Sequence, residues 1–166
     1  MKKYFVILLM LVAFQLCFSQ TYYVDPTDPS NYDTIQSAVN DAISDGGSGT
    51  VYVCNPNTNG SSYTYTENIN VNFHNNEEFF SLSLLRNQSV GQGEIIISSP
   101  LTTSNVVSVS GRFDGVYFLI DGFTICNGYF GIQLTDLFLF SAYINNCIIR
   151  DNTGGVFADD SMPNFD

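Results

Sequence analysis

Few side chains in this sequence are of kinds that do chemistry, and their spacing limits what chemistry is open to them. Asp159-Asp160 is the adjacent acid pair of the C-terminal part, a candidate for calcium binding or acid–base work. Successive residues of a strand point to opposite faces, so carboxylates placed this way do not converge, and a solvated turn is the plainer reading. Arg150 beside Asp151 could serve as a base with its partner, but a surface ion pair is the plainer reading here too. His74, the sole histidine, lies in the polar stretch "NFHNNEE" and reads as an exposed loop residue. Cys54, Cys126 and Cys147 follow a fourth cysteine, Cys17, that belongs to a leader. An odd, small count does not describe a disulfide scaffold, and it offers too few ligands for a metal site. Asp159, Asp160 and Arg150 are therefore the catalytic candidates, and no metal or cofactor is expected.

The elements that must position these residues are mostly strands. Ile35, Ala38, Val39, Ala42 and Ile43 form one apolar stripe at helical spacing. Asp33 with Gln36 three residues later predicts a capping box at its start, and Gly46-Gly47 predicts its end. Around this helix "TYYV", "GTVYV", "YTENINVNF", "FFSLSLL", "GEIIISS", "NVVSVS" and "VYFLIDGFTI" read as short strands separated by turn residues. The abundance of Asn, Ser, Thr, Gly and Tyr suits strands and turns, and the body is expected to be all-β.

A repeat narrows the architecture. "LIDGFTICNGYFGI" (Leu119 to Ile132) and "YINNCIIRDNTGGV" (Tyr143 to Val156) agree in pattern, with Ile120 over Ile144, Ile125 over Ile149, Gly131 over Gly155 and Ile132 over Val156, each 24 positions apart. Phe123 falls above Cys147, which then points inward, and Asp121 above Asn145 as an outer polar ladder. Cys126 aligns with Arg150 and is expected to face outward or into a turn, and Thr124 to face water. Opposite orientations argue against a Cys126–Cys147 disulfide. A constant period in the low twenties marks a solenoid, whose units bury their apolar faces by stacking. At an offset of 25, an earlier unit would place Ile95 under Ile120, Val107 under Ile132 and Val109 under Leu134.

Charge and the N-terminus bound the setting. Lys2 and Lys3, the apolar run from Tyr4 to Leu16, and Cys17-Phe18-Ser19 form a secretory signal peptide over residues 1–19, leaving residues 20–166 as the mature chain. The rival reading is a lipoprotein anchor at Cys17, against which bulky Leu16 argues. Both lysines leave with the leader, so three arginines remain against sixteen acids, a formal balance of −13. A surface with so few cations argues against nucleic acid and anionic membranes as partners. No later stretch is apolar enough for a membrane helix, so no membrane insertion is expected after cleavage.

Taken in order, "YDTIQSAVNDA", "GTVYV" and "YTENINV" resemble the start of right-handed parallel β-helix proteins of the pectin lyase-like superfamily. "IDGFTICNG" and "INNCIIRDNTGG" resemble that superfamily's repeats. The likeness runs from Thr21 to about Asp159. It implies a right-handed parallel β-helix whose N-terminal amphipathic helix caps the first coil. It also implies that residues 20–166 are the cap and first turns of a longer domain; the alternative is a short solenoid closed by a partner or by its own tail.

The resemblance leaves two functions open. One is an exported, non-catalytic scaffold, extracellular or at the cell surface, whose Tyr- and Asn-bearing faces bind polysaccharide or cell-surface glycans. The other is the N-terminal part of a polysaccharide-active enzyme, of the pectate lyase, polygalacturonase or pectin esterase kind, with its catalytic strands beyond residue 166. The pectin esterase likeness is confined to the opening segment, without that family's Gln- and Asp-bearing catalytic strands.

Overall fold

The structure is a computed structural model, and it describes residues 19–46, 48–73, 81–89, 92–111, 117–136 and 141–159. Residues 1–18, His74, Arg112 and Asp160 lie outside these residues. Thirteen strands and one helix are found among them: β1 (Gln20–Val24), α1 (Ile35–Ser44), β2 (Ser48–Val53), β3 (Tyr63–Thr66), β4 (Ile69–Asn72), β5 (Ser81–Arg86), β6 (Ile95–Ser98), β7 (Val107–Ser110), β8 (Tyr117–Asp121), β9 (Thr124–Cys126), β10 (Phe130–Thr135), β11 (Ser141–Asn145), β12 (Ile148–Ile149) and β13 (Gly154–Ala158). They build three sheets, β1-β2-β5-β8-β11, β3-β6-β9-β12 and β4-β7-β10-β13. Every pairing in them is parallel. From β2 onward the chain visits the three sheets in rotation, so each strand from β5 onward pairs with the one three strands earlier.

The register of the last two rounds is the one the repeat predicts. Ile120 pairs with Ile144, Ile125 with Ile149 and Ile132 with Val156. One round earlier the prediction divides. Val107 and Val109 do pair with Ile132 and Leu134. Ile95 does not lie under Ile120: it pairs with Tyr63, while Ile120 pairs with Leu84, 36 residues back. The connections between sheets differ in length from round to round. Extra residues there leave the alternation within each strand intact, whereas a slip inside a strand would turn its apolar face outward.

Inward-facing residues of all three sheets join in one apolar cluster. Val51, Leu84 and Ile120 come from the first sheet, Ile97 and Ile125 from the second, and Val71, Val109 and Leu134 from the third. Each fully buried aliphatic side chain contributes roughly 1.5–3 kcal/mol. Cys147 packs half-buried against this cluster, below Phe123. One expectation fails on the outer face of the second sheet, and a neighbouring residue is more covered than its direction suggests. Thr124 is buried and donates its hydroxyl to Glu94, instead of facing water. Cys126 is buried as well, with the Asn127 amide donating to its sulfur. Strand alternation gave the direction of both side chains but said nothing of the neighbours that cover them.

The helix starts one residue later than predicted. Thr34, not Asp33, is the N-cap, its hydroxyl accepting from Ser37 N. Gln36 does not reach back to close a capping box. Its side-chain amide pairs with the edge of β4, donating to Asn70 O and accepting from Asn70 N. Ile35, Ala38, Val39 and Ala42 are buried as the stripe predicts. The Tyr22 and Tyr32 hydroxyls donate to Asp45 and Asp41 and fasten the helix to the start of the chain. The helix ends at Asp45, followed by Gly46 at φ +72°.

One close approach gives a prediction. A Cβ on Gly93 would stand 1.9 Å from Ser61 O, a backbone atom that cannot swing aside. Gly93→Ala should therefore cost about 1–3 kcal/mol in urea denaturation, by forcing two neighbouring connections apart. An unchanged midpoint would show that these connections do not pack as described.

Candidate functional site

Of the catalytic candidates read from the sequence, the two that are described, Arg150 and Asp159, follow strands of different sheets. Arg150 follows β12 in the second sheet, and its guanidinium contacts Asp151 at 2.5 Å, with side chains 49% and 61% exposed. The hydrogen bond to Asp151 holds that guanidinium above its already high value. It is therefore held in its protonated form at neutral pH. Asp159 follows β13 in the third sheet, its backbone N donating to Leu134 O. Asp160, its predicted companion, lies outside the described residues.

Two of the thiols are poor reagents. Cys54, Cys126 and Cys147 are free. Burial pushes the Cys54 and Cys147 thiols up, so the reactive thiolate is scarce at neutral pH. No group of three or more His, Cys, Asp or Glu side chains is placed to hold a metal ion among the described residues.

The outer face of the first sheet holds a different arrangement. Parallel register lines up Tyr23, Tyr52, Leu85, Asp121 and Asn145 across five strands. The Tyr23 and Tyr52 rings stack, with centroids 5.6 Å apart and planes 18° from parallel. Further along the face Tyr117 and Tyr143 meet at 5.2 Å. Asp121 and Asn145 continue the row as the expected polar ladder, and Asn146 donates to the Asp121 carboxylate at 2.9 Å.

Where this ladder meets the corner after β5 and β8 there is a pocket of about 200 Å³. Tyr52, Leu85, Arg86, Gln88, Asp121 and Gly122 line it. Gly122 turns the chain here at φ +89°, and a Cβ on it would stand 3.0 Å from Arg86 Cβ, so the glycine makes room for the arginine stem. One Arg86 terminal nitrogen donates to Gln92 O and Gly93 O, at 3.1 and 3.0 Å. Its Nε is buried without a hydrogen-bond partner among the described residues. Such an atom is costly unless something satisfies it. The pocket thus combines an aromatic edge, an amide, a carboxylate and a guanidinium.

Sequence reading had placed Tyr and Asn on the faces without locating this pocket. Half of the signal was there: Tyr23 in "TYYV" and Tyr52 in "GTVYV" each precede the final inward valine of their strand. Arg86 and Gln88 carried none, because their meeting with Asp121 depends on the 36-residue offset between β5 and β8. Among known families, curated proteins and solved structures, none matches the chain.

Proposed function

We propose that this chain is an exported, non-catalytic scaffold, a right-handed parallel β-helix of the pectin lyase-like kind, whose outer face binds glycans outside the cell or at its surface. The observation that carries this reading is the stacked Tyr23–Tyr52 pair beside a pocket with convergent polar groups. Sugar rings present apolar C–H faces and hydroxyl edges, and an amphipathic aromatic next to amide and carboxylate groups suits both. Rotation of the chain through three parallel sheets supports the β-helix reading. The scattering of Arg150 and Asp159 over different sheets supports the absence of catalysis by the described residues.

The test is binding to an array of plant, bacterial and animal oligosaccharides, followed by titration of the best ligand. Tyr52→Ala is expected to weaken that ligand about tenfold or more, about 1.4 kcal/mol, with an unchanged unfolding midpoint. Equal binding by the variant would remove the tyrosine pair from the site. Turnover of pectate or methylated pectin by the purified chain would overturn the non-catalytic reading.

A further inference from the structure

A second cleft, of about 320 Å³, opens on the third sheet where the connection after β6 passes over β4 and β7. Asn68, Asn70, Thr103, Ser104, Asn105 and Ser108 line it. Every one of these side chains is an amide or a hydroxyl, and none carries a charge.

The back of the cleft is held rigid across three rounds of the chain. Asn68 donates to Asn105 O and, at 2.9 Å, to Ser99 Oγ. The Asn105 amide donates to Gln133 and to Ser108 Oγ, and its Oδ1 accepts from Phe130 N. At the front, Asn70 spends only its backbone groups, on the amide of Gln36. Its side chain and the hydroxyls of Thr103 and Ser104 make no hydrogen bond to a described residue. Fixed amides behind and uncommitted donors and acceptors in front form a preorganised polar surface, which loses little conformational entropy on binding.

We infer that this cleft is a subsite for an uncharged saccharide. The inference rests on the glycan-binding reading and names the class of ligand. The lining chemistry selects it: an anion finds no cation here on a strongly acidic chain, and a cation finds no carboxylate. A ligand of neutral hydroxyls offers donors and acceptors in the numbers that amides and hydroxyls accept. Sites built to hydrogen-bond hydroxyls discriminate strongly, because a wrong ligand leaves their polar groups unpaired.

The experiment uses the purified chain with immobilised neutral oligosaccharides (cello-, xylo- and manno-series) and with oligogalacturonates, followed by calorimetric titration. Asn70→Ala combined with Thr103→Ala removes two exposed side chains of the cleft, and Tyr52→Ala removes the ring at the first sheet. The expected result is binding of a neutral series, weakened at least tenfold by the double variant, with the unfolding midpoint unchanged. Neutral binding that is lost only with Tyr52→Ala overturns the subsite and leaves the glycan-binding reading standing. Binding of oligogalacturonates alone overturns the uncharged ligand and likewise leaves that reading standing. Binding of neither series overturns both.

Discussion

Phe118→Ala is expected to destabilise the chain by about 3–5 kcal/mol, the range for removing a large aromatic from a packed interior. Phe118 is fully buried in β8, the fourth strand of a five-stranded sheet, with Leu82 on one side and Ala142 on the other. Ala142, its register partner in the last round, is too small to fill the cavity. In a stack of rounds, stability is close to a sum of terms within rounds and between adjacent rounds. A cavity in β8 weakens two such contacts at once, toward β5 and toward β11. Equilibrium urea denaturation measures the loss, with Phe157→Ala as the comparison. Phe157 lies at the outer face of β13, 39% exposed, and its removal should change stability far less. A loss under about 1 kcal/mol for Phe118→Ala would mean that the three sheets do not share one packed interior.

The same stacking explains which parts of the fold were legible. Between the last two rounds the offset is 24 in all three sheets, so Ile120, Ile125 and Ile132 announce their partners together. Earlier rounds carry the same inward pattern but different connections. Ser48 pairs with Ser81 at 33, Tyr63 with Ile95 at 32 and Ile69 with Val107 at 38. No single shift of the sequence against itself reveals those pairs, which is why Ile95 was set under the wrong strand. Burial on the outer faces was harder still. Thr124 and Cys126 alternate outward correctly, yet their cover comes from Glu94 and from Asn127 at φ +64°. Periodicity contains directions, and neither loop course nor cover. The tyrosine half of the candidate pocket shared that legibility, and its Arg86 half did not.

Glu67 carries the second large effect, because it ties the helix to the first complete round. It sits at the corner between β3 and β4, and its carboxylate accepts from Ile35 N at 3.0 Å and from Gln36 N at 2.8 Å. Thr34 caps Ser37 N, so Glu67 supplies the acceptors that the first two helical N–H groups lack. Glu67→Ala should cost about 2–4 kcal/mol, since hydrogen bonds to a charged group contribute about 1.5–3 kcal/mol each and the site is only half-buried. Faster amide exchange at Ile35 and Gln36 should accompany the loss. Burial raises the Glu67 carboxyl above its ordinary value, and the bonds from Gln36 and Ile35 pull it only part of the way back. Between the ordinary and the raised value the folded chain therefore holds more protons than the unfolded one. Stability from this group is present in full below the ordinary value and is lost as pH rises through the raised one. Glu67→Gln removes the titration and keeps one acceptor. It should cost less than Glu67→Ala, and its cost relative to wild type should shrink as pH rises from about 4 to 7. A cost that grows over that range would mean that the two backbone bonds outweigh burial and that the carboxyl lies below its ordinary value.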